Sequence, residues 1–212
     1  MAELNFRYGS MDCGKTTMLL QQTYDYSQGE IPFILIKPGK DSKGENTIVS
    51  RAGGSRKVDY MVDENCSILD LIVGQERPFC ILVDEAQFLT ASQVDELYTI
   101  AKKMDIPVYA YGLRCDFQMV GFPGSTRLLQ IADDNRQVET ICRLCFQRNA
   151  TQNLRLENGI PVFEGEQVAI DGVGNTTYVA LCGNCYFFVR DEVKESPKTL
   201  TFKQIVYKRK NK

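Results

Sequence analysis

The chain contains no histidine. No imidazole is available as a general base, as the partner of a nucleophile or as a metal ligand. Acid–base work therefore falls to carboxylate, Lys, Tyr or Cys, and any zinc site must be built from Cys or carboxylate. Long apolar runs are also missing. No stretch of about 18 apolar residues occurs, so no membrane-spanning helix and no membrane partner are expected. The start, MAELNFRYGS, has neither a basic n-region nor an apolar h-region and does not read as a signal peptide. Positive charge is not in excess: 25 Lys and Arg face 27 Asp and Glu, for a net charge of −2. Non-specific binding to nucleic acid or to an anionic membrane is thus not the expected role. The basic stretch KRKNK at the end is short and reads as solvated. Internal repeats and low-complexity tracts are absent as well. A length of 212 residues suits one large domain, or one domain with a small appendix, and is enough for a sizeable core.

What is present begins at Gly9. GSMDCGKT, from Gly9 through Ser10, Met11, Asp12, Cys13, Gly14 and Lys15 to Thr16, fits the phosphate-loop pattern G-x-x-x-x-G-K-[ST]. Its context agrees. Leu4, Phe6 and Tyr8 alternate with Asn5 and Arg7 as in a strand, and residues 16–27 hold no Gly or Pro. Gly9 and Gly14 let the backbone curl so that several N–H groups face one anion, and the following helix adds positive potential. Lys15 is expected to reach the outer phosphates of ATP, and the Thr16 hydroxyl to bind Mg²⁺. Asp12 is the awkward member, because a carboxylate inside an anion cradle repels phosphate unless it points outward.

Strand-like and helix-like stretches then alternate. PFILIKP, PFCILVDEAQFL and PVYAYGL read as strands; NCSILDLIVG and SQVDELYTIAKKM read as helices. Residues 39–57 are polar and Gly-rich and read as a long mobile loop. The alternation predicts an α/β fold: a mostly parallel sheet of phosphate-loop (RecA-like) type flanked by helices. Parallel strands bury both faces, which accounts for the unbroken run from Cys80 to Val83. Ligands gather at the carboxyl ends of such strands. From about Cys142 the pattern changes to short Gly-rich strands. The expected division is 1–141 for nucleotide binding, 142–192 for a small metal-binding domain and 193–212 for a tail.

Asp84 and Glu85 end the third strand. Behind a phosphate loop, that position lets Asp84 help hold Mg²⁺. Glu85 is then free and, without any histidine, is the best-placed general base. Leu113, Phe117 and Phe122 lie in the stretch after the fourth strand, and Phe88 follows the acids. Aromatics there can stack on a planar base or simply fill the core.

Eight cysteines remain. Cys66, Cys80 and Cys115 read as small core residues. Cys142 and Cys145, then Cys182 and Cys185, form two C-x₂-C pairs separated by 36 residues. That arrangement predicts tetrahedral Zn²⁺, although the insert exceeds the roughly 15–20 residues of common zinc ribbons. Redox pairs or disulfides are the other readings. Four thiolates would close the site, so the zinc would be structural.

Together these residues resemble the zinc-containing type II thymidine kinases of bacteria and of the animal cytosol. The resemblance spans nearly the whole chain. It rests on GSMDCGKT, on DEAQF from Asp84 to Phe88, on GLRCDFQ from Gly112 to Gln118, on both cysteine pairs and on IDGVGNTTY before the last pair. It implies a cytoplasmic enzyme of nucleoside salvage that uses ATP to phosphorylate the 5′-hydroxyl of thymidine or deoxyuridine. It further implies that Glu85 takes the 5′-hydroxyl proton, with Thr16 and Asp84 near Mg²⁺ and Ala86 and Gln87 beside the nucleotide. Met11, Phe88, Leu113, Phe117 and Phe122 would line the base pocket, and Tyr178 would help hold the nucleoside. A lasso between the cysteine pairs would close with backbone groups of Ile170, Asp171, Gly172 and Val173. Arg155 matches an arginine near the acceptor phosphate, and Asp41 an acid opening the flexible loop. The resemblance also implies a homotetramer inhibited by dTTP. The chain departs from the family in having Asp12 and Cys13 in the glycine loop, Cys185 where many relatives carry histidine, and Lys43 in place of a nearby arginine.

Two other functions compete. One is an ATPase of the same loop type whose zinc knuckle binds nucleic acid; RLCFQRNATQNLR supplies few of the basic residues that would need. The other is a module that binds ATP without using it, where a Glu85 beside Asp84 would have no task.

Overall fold

The computed structural model describes residues 1–39, 46–168, 175–195 and 200–210. Asp41, Lys43, Ile170, Asp171, Gly172 and Val173 lie outside the described residues. The elements in chain order are β1 (Leu4–Tyr8), α1 (Lys15–Gln28), β2 (Phe33–Pro38), β3 (Thr47–Val49), β4 (Ser55–Lys57), β5 (Tyr60–Val62), α2 (Ile68–Ile72) and β6 (Cys80–Val83). A single 3-10 turn, Ala86–Phe88, follows. Then come α3 (Ala91–Lys103), β7 (Val108–Gly112), α4 (Pro123–Ile131), β8 (Asp134–Gln137), β9 (Gln152–Glu157), β10 (Ile160–Val162), β11 (Thr176–Leu181), α5 (Gly183–Glu195) and α6 (Phe202–Lys210).

The chain divides into two compact units. The first holds residues 1–9, 14–114 and 121–138; the second holds 10–13, 115–120 and 139–212. In the first, six strands form one sheet in the order β5-β2-β6-β7-β1-β8, with every pairing parallel. The expected parallel α/β sheet is therefore present. Its central strand β6 is buried throughout. Ile81 and Val83 enter one apolar cluster with Leu4, Phe6 and Ile36, while Cys80 and Leu82 enter another with Leu19 and Leu35. Two covered faces explain why β6 shows no apolar–polar alternation. Thr90 starts α3 with a capping box: its Oγ1 accepts from Gln93 N–H (3.2 Å) and Gln93 Oε1 accepts from Thr90 N–H (3.0 Å).

The stretch read as a loop over 39–57 contains an antiparallel hairpin, β3 with β4. Both strands are three residues long, too short for a period-2 signal. Neither α4 nor β8 was expected. β8 is DNRQ, an edge strand with no apolar run, paired among the described residues only to β1.

The second unit carries a three-stranded antiparallel sheet, β10-β9-β11. Its core gathers Leu154, Leu156, Leu181, Tyr186, Val189 and Ile205 around Cys142, Cys182 and Cys185. Short strands were expected here; the helices α5 and α6 were not.

Candidate active site

Because the sheet is parallel, β1, β7 and β6 present their carboxyl ends on one edge as neighbours. Tyr8 is in register with Gly112, and Val83 with Ala110. The glycine loop leaves β1, the acids leave β6 and Leu113 leaves β7 on that edge.

Gly14 caps α1 in a left-handed conformation, φ 90°, where a side chain would be strained. Asp12 is also left-handed, φ 59°, and is exposed, so its carboxylate is not enclosed. Lys15 is the first residue of α1, and its Nζ donates to Gly9 O at 3.2 Å. Thr16 follows, half-buried. In the second unit, Met11 N–H donates to Asn153 Oδ1 of β9 at 2.7 Å.

Asp84 is 5% exposed, and its N–H donates to Ile36 O at 3.0 Å. Burial pushes its carboxyl up to about 8, and the charge of Glu85 adds to this against the pull of Lys37 and Lys15. Lys37, the residue of β2 just before Pro38, is itself buried. Glu85 adopts φ 50°, left-handed for a residue with a side chain. Its Oε2 accepts from Gln87 Nε2 at 2.6 Å. Gln87 is 1% exposed, and its Oε1 accepts from Leu113 N–H at 3.0 Å. Ser125 Oγ of α4 then donates to Leu113 O. A fixed chain of hydrogen bonds thus orients Glu85 from the end of β7. Gly112 makes room for it: a Cβ there would stand 2.7 Å from Gln87 Oε1 and 3.1 Å from Gln87 N.

Phe88 and Phe122 meet edge to face in the first unit, 5.7 Å between centroids. In the second unit Phe117 is buried, and the Arg155 guanidinium lies 5.1 Å from its ring centre. Arg155 pairs with Glu157 at 2.7 Å and donates to Glu166 O at 3.1 Å. Its Nε is buried without a hydrogen-bond partner among the described residues. Tyr178 on β11 lies in register with Arg155 on β9.

The four paired cysteines converge. Their Sγ atoms all lie within 4.8 Å of one another, with 3.9 Å between Cys145 and Cys182 and 3.3 Å between Cys182 and Cys185. A tetrahedral zinc with Zn–S near 2.3 Å sets sulfurs about 3.8 Å apart, so the donor set and spacing fit that ion. None of the eight cysteines is in a disulfide. Burial raises the Cys145 thiol, but N–H donors from Gln147 and Arg148 outweigh it and bring it down to about 6. Burial first, then the neighbouring sulfurs, pushes Cys185 far up. Elsewhere, Cys80 is buried and raised to about 11 by that burial; Cys115 is buried and Cys66 half-buried.

A family model described as thymidine kinase matches residues 2–186. The chain belongs to the thymidine kinase family. A curated relative named thymidine kinase from Streptococcus thermophilus (strain CNRZ 1066) is 40% identical over 188 residues, covering 88% of this chain and 94% of its own length. Relatives of the same name from Streptococcus agalactiae serotype Ia and Streptococcus pyogenes serotype M3 are 37% identical, over 88% of this chain and 98% of their own.

Against that family background, the contacts made by several residues were not read from the sequence. Asn153 is a buried polar residue in the strand QNLRLE, and its partner Met11 is 142 positions away. Gln87 was expected beside the nucleotide; both ends of its amide are engaged by Glu85 and Leu113. Lys37 ends an apolar run, and a buried lysine facing Asp84 could have been suspected from that alone. Among the described residues, no helix is long and apolar enough to cross a membrane.

Proposed function

We propose that this chain is a thymidine kinase, transferring the γ-phosphoryl group of ATP to the 5′-hydroxyl of thymidine and, more broadly, of deoxyuridine. The observation that carries the mechanism is Glu85, half-buried at the carboxyl edge of the sheet and held by Gln87 beside the buried Asp84. The glycine loop, residues 9–14, and the start of α1 supply N–H donors for the phosphates, and Lys15 supplies charge. Thr16 and Asp84 would hold Mg²⁺: a buried carboxyl raised by desolvation and by Glu85 favours a cation beside it. When bound, that ion offsets the charge of the phosphoryl group.

Glu85 takes the proton of the 5′-hydroxyl. The 5′-oxygen forms its bond to the γ-phosphorus as the bond from that phosphorus to the bridging oxygen breaks. ADP leaves and dTMP remains. Phe88, Leu113 and Phe122 of the first unit, and Met11, Phe117, Arg155 and Tyr178 of the second, are the proposed nucleoside contacts. Cys142, Cys145, Cys182 and Cys185 would hold a structural Zn²⁺, since four thiolates would leave no position for substrate. A cytoplasmic homotetramer inhibited by dTTP rests on the family resemblance alone; sizing in solution and inhibition by dTTP test it.

ATP consumption with and without thymidine, with the product identified, tests the function. Consumption that depends on thymidine and yields dTMP is expected. Consumption indifferent to thymidine but raised by nucleic acid would support the competing ATPase.

A further inference from the structure

The helix α6 lies beyond the residues that match the thymidine kinase family, 2–186, yet it reaches the cysteine cluster. We infer that Arg209 is a positioning and charge-balancing residue for the metal held by the four cysteines, and that it couples metal retention to docking of α6. This rests on the zinc reading above. It contradicts the expectation that the basic end is merely solvated.

Arg209 Nη1 lies 2.9 Å from Cys185 Sγ. Its guanidinium carbon stands 5.0 Å from the centre of the Phe188 ring, one turn along α5 from Cys185. The group is thus held from two sides, by a sulfur and by an aromatic face. A planar guanidinium suits both contacts, and an ammonium does not. The rest of α6 supports that position. Phe202, Ile205 and Arg209 follow helical spacing along one face. Ile205 is fully buried in the apolar cluster that contains Cys142, Cys182 and Cys185. Phe202 N–H donates to Gly159 O at 2.9 Å, and Lys208 pairs with Glu192 of α5 at 3.3 Å.

The chemistry favours such a partner. Zinc with four thiolates carries a net charge of −2, and three of these four cysteines are buried. Burying uncompensated charge is costly. Cys145 receives backbone N–H donors from Gln147 and Arg148; Cys185 receives the guanidinium of Arg209, which brings a full positive charge. Outer partners of this kind typically govern metal affinity by about 10–100-fold. Linkage is reciprocal: if Arg209 tightens the metal, the metal tightens α6 by the same factor.

The test uses the full chain loaded with zinc, with metal content measured first. Zinc affinity is then measured by competition with a chromogenic chelator for wild type, Arg209→Ala, Arg209→Lys and Lys208→Ala. Arg209→Ala is expected to weaken zinc binding about 10–100-fold, Arg209→Lys to recover part of that, and Lys208→Ala to match wild type. Amide exchange in 202–209 should be slower with zinc than without it in wild type, and equally fast with and without it in Arg209→Ala. Wild-type affinity in Arg209→Ala overturns the inference while leaving the zinc reading intact. An equal loss in Lys208→Ala also overturns it, since helix docking rather than the guanidinium would then be responsible. A wild-type chain that binds no zinc defeats both.

Discussion

Each unit of this protein gathers groups of one charge, and each handles them differently. The second unit packs four cysteines so closely that a single cation can satisfy all of them, and Arg209 adds a positive charge at the rim. The first unit places Asp84 and Glu85 side by side, buries one and orients the other through an amide. A closed set of ligands gives stability; an open pair of acids gives reactivity at a cost in stability. The closed cluster should therefore answer mutation through unfolding, and the open pair through rate.

The largest effect is expected from breaking the closed side. Cys182→Ser leaves three thiolates and should forfeit a sizeable part of the roughly 10–16 kcal/mol that structural zinc contributes. Metal content should fall well below one per chain and thermal unfolding of the second unit should move to much lower temperature, while ATP binding persists. Loss of ATP binding with full zinc content would reverse the contrast.

On the open side, Asp84→Asn should trade activity for stability. The Asp84 carboxyl is raised to about 8 in the folded chain, against an unfolded value near 3.9. Between these values the folded state holds a proton that the unfolded state has lost. Stability from this group is complete below about pH 4 and is lost as pH rises toward 8. Without nucleotide or added Mg²⁺, Asp84→Asn should thus be more stable than wild type at pH 8, by up to about 5 kcal/mol, with the gap closing near pH 4. Denaturant unfolding at the two pH values measures it. A gap that does not change with pH would mean that Asp84 is not the titrating group.

Gly112→Ala should come next. The new Cβ meets the buried Gln87, so about 1–3 kcal/mol of stability should be lost, and kcat should fall because Gln87 aims Glu85. Unchanged kcat in a folded variant would sever Gln87 from the catalytic account. The smallest change is expected from Asn153→Ala, which removes the acceptor of Met11 N–H. A loss of about 1 kcal/mol and a few-fold rise in the KM for ATP are expected, with zinc content unchanged.

How much of this was legible differs between the two units for physical reasons. The parallel sheet announced itself because strands buried on both faces need unbroken apolar runs such as CILV at β6. The glycine loop, the acids and the cysteine pairs were legible because their chemistry demands particular residues at fixed spacings. β8 was not, since DNRQ has no apolar member. α5 was not, because it begins inside CGNC, where two of the cysteines dominate the reading. The contacts of Asn153 with Met11 and of Arg209 with Cys185 join residues far apart in sequence or on elements whose presence was unforeseen. Local pattern carries no information about either.

The central claim is that Glu85 takes the proton of the 5′-hydroxyl. Rapid-quench single-turnover measurement of dTMP formation by Glu85→Gln, at saturating ATP and thymidine, tests it most directly. The amide preserves shape but cannot accept the proton, so the chemical step should slow by about 10²–10⁴-fold while both substrate affinities stay within a few-fold of wild type. A chemical step near the wild-type rate would contradict the account and leave Glu85 with positioning alone.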